Sequence, residues 1–240
     1  MARKSKGSTN VMEDKLILNE FDAVIFDMDG VLIDSEPLWK IAMDKVFNSL
    51  GSNLTKGDFE KTVGLRIDEV IHFWNIHEKW NLKDEKIVEN RIIDELIDLI
   101  NNHGKPLDGV LEVLEYLQKF DKKIGLATSS SFRLIDTVLL KLNIKKYFNV
   151  TQSAEYEDFG KPHPAVYIRT AELLNVDSTK CLVIEDSFNG VVAGLAARMK
   201  VVCIPEKTHQ VNNRLNIANF KFESLNEFLA EIKKEPLNHK

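Results

Sequence analysis

Ala23-Val24-Ile25-Phe26-Asp27-Met28-Asp29-Gly30 decides how this chain is read. Four apolar residues suited to a buried strand run straight into two carboxylates two positions apart, and a glycine closes the run. Aspartate favours neither strands nor burial, and an ionised carboxylate taken out of water needs a partner. A Mg²⁺ ion supplies such a partner. The carboxylate beside it is then free to attack a phosphoryl group while its neighbour handles the proton. A calcium loop would require an oxygen ligand where Val31 stands and a helix in front of it. A plain Asp-Gly turn stays open on these eight residues alone.

Outward from this stretch, strand-like runs alternate with helical ones. Ala23–Phe26, Lys123–Ala127, Lys180–Ile184 and Lys200–Ile204 read as strands, and Val110–Phe120, Phe132–Leu142, Pro164–Leu174 and Asn189–Ala197 as helices. Such alternation predicts an α/β fold with a doubly wound parallel sheet, Rossmann-like, in which ligands bind outside the carboxyl ends of the strands. Polar residues fall at those ends: Asp27 and Asp29, Thr128 and Ser129, Glu185 and Asp186.

One block breaks the alternation. From about Ser35 to His103 only helical periodicity is found: Trp39, Met43, Phe47 and Leu50 before Gly51, then Val88, Ile92, Leu96 and Ile100. The expected organisation is a disordered leader plus lead-in over 1–20, an α/β core over 21–33 and 104–235, and an inserted helical cap domain over 34–103. The first ten residues, Met1 to Asn10, are basic and polar, lack the apolar core of a signal peptide and are expected to be disordered.

The 240 residues carry a net charge of −5, 44% hydrophobic and 29% charged residues, with the two signs interspersed. That balance gives no nucleic-acid footprint, and no apolar run approaches the roughly 20 residues that span a bilayer. Cys181 and Cys203 fall in predicted strands and read as core thiols of a cytoplasmic protein.

Four ordered pieces resemble the haloacid dehalogenase superfamily of phosphotransferases: Asp27-Met28-Asp29-Gly30, Thr128-Ser129-Ser130, Lys161-Pro162 and Glu185-Asp186-Ser187-Phe188-Asn189-Gly190. The resemblance covers almost everything from Phe21 to about Ser224. It implies that Asp27 is the nucleophile and forms an aspartyl phosphate. It also implies that Asp29 is the acid for the leaving group and then the base for water. Glu185 and Asp186 would complete a Mg²⁺ shell with Asp27 and the backbone carbonyl of Asp29. Lys161 would hold Asp27 and the phosphate, while Thr128 and the amide of Ser129, at the start of a helix, would donate hydrogen bonds to it. Taken singly, each residue has a plainer reading: Thr128 and Ser130 as helix caps, Lys161 as a solvated loop lysine, Glu185 and Asp186 as charges at a helix start.

The helical insertion resembles the subfamily with a small helical cap. Within it, Leu32 to Trp39 and Thr62 to Asp68 look most like the 2-deoxyglucose-6-phosphate and hexitol phosphatases, with β-phosphoglucomutase-like proteins close by. This resemblance implies that Arg66 binds substrate oxygens, with Gly64 allowing close backbone approach, and that Glu36 and Trp39 line the sugar pocket. The expected activity is Mg²⁺-dependent hydrolysis of a small sugar or polyol phosphate by a monomer. The alternatives are a β-phosphoglucomutase-like phosphotransferase and a non-catalytic phosphometabolite-binding protein.

Overall fold

Strand β1 (Ala23–Phe26) buries all four side chains, and it does so on two faces. Val24 and Phe26 enter one hydrophobic cluster, Ala23 and Ile25 the other, as the two-residue period of a strand requires. The computed structural model describes residues 16–55, 57–62, 64–205 and 213–234. Over these residues β1 lies inside a six-stranded parallel sheet with β2 (Lys123–Thr128), β3 (Val150–Ser153), β4 (Cys181–Glu185), β5 (Lys200–Cys203) and β6 (Phe220–Lys221). The order is β3-β2-β1-β4-β5-β6. The chain winds one way from β1 and then returns to wind the other way, which opens a crevice at the carboxyl ends of the central strands.

Helices cover both faces, making the fold the doubly wound α/β class the alternation predicts. Helix α4 (Val110–Lys119) buries Val113, Leu114 and Leu117 in the first cluster together with α5 (Phe132–Lys141) and α8 (Leu225–Ile232), and α6 (Ala165–Leu174) and α7 (Phe188–Ala196) close the second. Cys181 and Cys203 are buried, unpaired thiols in the sheet, and burial pushes both up to about 12.

Between β1 and α4 the chain forms α1 (Glu36–Asn48), α2 (Ile67–Glu78) and α3 (Glu85–His103), with no sheet strand among the described residues. Pro37 stands in the first turn of α1, and Leu38, Ala42 and Val46 share its buried face. Ile71, Trp74 and Ile92 join the same core. The chain leaves and re-enters the α/β layer side by side, where Ile33 pairs with Pro106.

Strands β3 and β6 have no counterpart in the sequence pattern. β3 is the polar, half-exposed edge run Val-Thr-Gln-Ser, and β6 is two residues long. Of the expected leader, residues 1–15 lie outside the described residues. In the lead-in, Leu16 and Leu18 are 5% and 2% exposed and pack into the core. Residue 235, the expected end of the core, lies outside the description as well.

Candidate active site

Three adjacent strands end at one place. Asp27 follows β1, Thr128 ends β2, and Glu185 and Asp186 end and follow β4. Lys161, from the loop between β3 and α6, reaches back across all three. Its Nζ donates to Asp27 Oδ1 at 2.8 Å, to Glu185 Oε1 at 2.6 Å and to the Ala127 carbonyl at 3.1 Å. Lys161 is 3% exposed and Glu185 is fully buried, so this is an ion-pair triad with hardly any solvent in contact.

The electrostatics follow from that burial. Burial pushes the Asp27 carboxyl up to about 7, against the lowering pull of Lys161. For Lys161 burial opposes the charge, but Asp27 and Glu185 overcome it and hold the ammonium above its ordinary range. Burial also opposes charge on Glu185, yet Lys161, Tyr167 and the amide of Ser187 hold that carboxyl below its ordinary range. Two carboxylates therefore share one cation.

Both oxygens of Glu185 are engaged. Oε1 accepts from Lys161 and from the Tyr167 hydroxyl at 2.6 Å. Oε2 accepts from the amides of Asp186 and Ser187 and from the Ser187 hydroxyl. A Cβ at position 190 would fall on the Glu185 carboxylate, so Gly190 is required there. Gly30 has φ +72°, and its missing Cβ leaves room for the Asp186 carboxylate.

Asp27, Glu185 and Asp186 bring carboxylate oxygens within 4.8 Å of one another. This all-oxygen, anionic donor set fits a hard divalent cation. Asp27 and Asp186 line the pocket above the strand ends, with Glu185 buried behind them.

Asp29 faces the same pocket and is held by three neutral donors. Ser35 Oγ at 2.5 Å and Trp39 Nε1 at 3.2 Å reach Oδ1, while Ser130 Oγ at 2.7 Å reaches Oδ2. Trp39 belongs to α1 and Ser130 to the loop after β2, so the helical segment and the sheet both fix this carboxylate. Thr128 Oγ1 accepts from the Ser130 amide. Ser129 Oγ is buried without a protein partner on the pocket wall, a donor position suited to an anion. Helix α5 begins only at Phe132, so Ser129 lies in the turn that leads to the helix rather than in its first turn.

The far wall comes from the helical segment. Gly64 has φ +80° and its carbonyl accepts from Asn189 Nδ2 at 3.4 Å, so the two layers meet closely there. Arg66 lines the pocket, but its donors are used elsewhere. Nε and Nη2 grip the Asp68 carboxylate at 2.7 Å each, and Nη1 donates to the carbonyls of Ala154 and Glu157 at 2.9 and 2.8 Å. Glu36 lines the pocket one helical turn from Lys40, and the two form an ion pair of 2.8 Å.

The sequence pattern passed over Tyr167, Ser35, Lys40 and the link from Trp39 to Asp29. Tyr167 left a trace: a phenol on the apolar face of α6 must find a buried partner, and Glu185 is that partner.

The family profile described as haloacid dehalogenase-like hydrolase matches residues 24–204. Hexitol phosphatase B of Escherichia coli (strain K12) is 38% identical over 210 residues, covering 87% of this chain and 95% of that protein. A phosphorylated carbohydrates phosphatase of Thermotoga maritima is 35% identical over 177 residues, covering 73% of this chain and 81% of that one. Among solved structures, a β-phosphoglucomutase from Clostridium difficile superposes with a TM-score of 0.75 at 25% identity, covering 89% of this chain and 98% of its own. With the profile spanning most of its length and the Escherichia coli relative covering 87% of it, the chain belongs to the haloacid dehalogenase-like hydrolase family.

Proposed function

We propose that this protein is a Mg²⁺-dependent phosphatase of small sugar or polyol monophosphates, working through an aspartyl phosphate on Asp27. The observation that carries the reading is the pairing of Asp27 and Asp29 on one pocket, the first beside Lys161 and the second held by Ser35, Trp39 and Ser130. The phosphatase names of the Escherichia coli and Thermotoga relatives support the substrate class.

In this proposal Asp27, Asp186 and the backbone carbonyl of Asp29 would hold the ion, with Glu185 completing the acidic cluster from behind. Once bound, it would supply positive charge against the phosphate and the nucleophile. Asp27 attacks phosphorus as the bond to the leaving oxygen breaks, and Asp29 delivers a proton to that oxygen. Water then attacks the aspartyl phosphate while Asp29 takes its proton, which frees inorganic phosphate, restores the Asp27 carboxylate and leaves Asp29 protonated for the next leaving group. Lys161 keeps Asp27 oriented and neutralises charge beside it. Thr128, Ser129 and the amides around them hold the phosphate oxygens. The helical segment over 34–103 acts as the cap that excludes water from the site.

A module that only binds phosphometabolites has no use for this pair of positioned carboxylates. The test is phosphate release from a panel of hexitol, hexose and deoxyhexose monophosphates with Mg²⁺ and with EDTA, in the wild type and in Asp29→Asn. Release should need the metal and fall about a hundredfold or more in the variant, whose Mg²⁺ binding should survive. Metal-independent release, or Asp29→Asn turning over normally, would refute it.

A further inference from the structure

Three cations line the pocket among the described residues: Lys161, Arg66 and Lys40. Each is already matched to a carboxylate, Lys161 to Asp27 and Glu185, Arg66 to Asp68, and Lys40 to Glu36. Lys161 sits at the strand ends, where phosphoryl chemistry would occur. Arg66 spends its remaining donor on the carbonyls of Ala154 and Glu157. That leaves the Glu36–Lys40 pair as the charged feature of the wall built by α1. Its side chains are 13% and 24% exposed and 2.8 Å apart, beside the apolar wall of Met43, Phe59 and Leu65.

An ion pair of this kind presents carboxylate acceptors next to ammonium donors with no net charge between them. It suits adjacent hydroxyl groups, each of which both donates and accepts. It does not suit a second phosphate. A phosphate at that wall would pull Lys40 from its partner and stand against the Glu36 carboxylate in a half-buried site.

We propose that Glu36 and Lys40 form the subsite that reads the uncharged, hydroxylated end of the substrate, and that their pairing excludes bisphosphates. The subsite rests on the phosphatase reading above and sharpens it. An enzyme that moves a phosphoryl group between two hydroxyls of one sugar must at some stage hold a molecule with a phosphate at each end. This pocket has no unmatched cation for the second one among its described residues. A linear or cyclic polyol carrying a single terminal phosphate is the matching substrate class.

The experiment compares wild type, Lys40→Met and Glu36→Gln on glucitol 6-phosphate and on p-nitrophenyl phosphate, which lacks distal hydroxyls, with glucose 1,6-bisphosphate as inhibitor. In Lys40→Met the preference for glucitol 6-phosphate over the aryl ester, as a ratio of kcat/KM, should fall by about tenfold or more, chiefly through KM. In Glu36→Gln, which removes the carboxylate and leaves Lys40 unmatched, the bisphosphate should inhibit about tenfold more tightly than in the wild type. An unchanged preference in Lys40→Met would overturn the subsite, as would equal inhibition of wild type and Glu36→Gln. Wild-type hydrolysis of the aryl ester with no preference for the hexitol ester would overturn it while leaving the phosphatase reading intact. A wild type inert on both esters would instead remove the phosphatase reading and this subsite with it.

Discussion

Lys161 concentrates the electrostatics of this molecule in one side chain. It is surrounded by two carboxylates and a carbonyl, and the ring of Tyr167 lies 4.8 Å below its ammonium. Desolvating such a triad is costly, and only its complete set of partners offsets that cost. Removing the cation leaves Asp27 and Glu185 facing each other in the interior. Lys161→Met should therefore destabilise the fold by about 3–5 kcal/mol, the range for breaking a buried ion pair by deleting one partner. Denaturant unfolding checks this, and a loss under about 1 kcal/mol would mean that water enters the triad freely. The same triad explains the division of labour between the two carboxylates. Glu185 is saturated by protein donors on both oxygens, whereas Asp27 lines the pocket and takes Lys161 on its Oδ1.

At the scale of elements, the contact between α2 and the loop after β3 matters most. Arg66 opens α2, its own amide is capped by Glu69, and its guanidinium clasps Asp68 together with two carbonyls of that loop. Gly160 allows the approach, since a Cβ there would lie 3.2 Å from the Arg66 Cβ. This geometry makes Arg66 a clasp between the helical segment and the α/β layer more than a grip on substrate. Arg66→Ala should then lower kcat/KM on a hexitol phosphate and on an aryl phosphate by similar factors, within about threefold of each other. It should also speed amide exchange over residues 154–160. A loss confined to the hexitol ester would return Arg66 to substrate recognition.

Much of this was legible in the sequence, for physical reasons. Strands buried on both faces, such as Cys181–Glu185, read as unbroken apolar runs. Carboxylates at their ends stand out because nothing in packing calls for them. The edge strand β3 was not legible, because half-exposed polar residues carry no strand signal. Nor was the engagement of Arg66, since a guanidinium two residues from Asp68 looks the same in sequence whether it binds a ligand or a loop. The three donors on Asp29 were hidden because they come from α1 and from the turn after β2, and only the fold brings these together.

Taken whole, the molecule is a sheet with a charged crevice at its centre and a helical layer packed over it. Burial raises Asp27 to about 7. A carboxyl raised in the folded state lends stability below its unfolded value, and that stability is lost as pH rises through the folded value. A cation that needs Asp27 ionised reverses this penalty and binds better as the proton leaves. Mg²⁺ should thus raise Tm little near pH 5 and by several degrees near pH 8. A thermal shift equal at both pH values would show that Asp27 is not a ligand.

In the proposed mechanism Asp27 carries the phosphoryl group. The decisive measurement follows glucitol 6-phosphate with Mg²⁺ in the wild type and in Asp27→Asn, with phosphate release and substrate binding recorded in parallel. Steady release is expected from the wild type. In the variant a loss of about a thousandfold or more is expected, with the sugar phosphate still bound. Turnover by Asp27→Asn within about tenfold of the wild type would contradict the assignment of the nucleophile, and with it the mechanism drawn from this site.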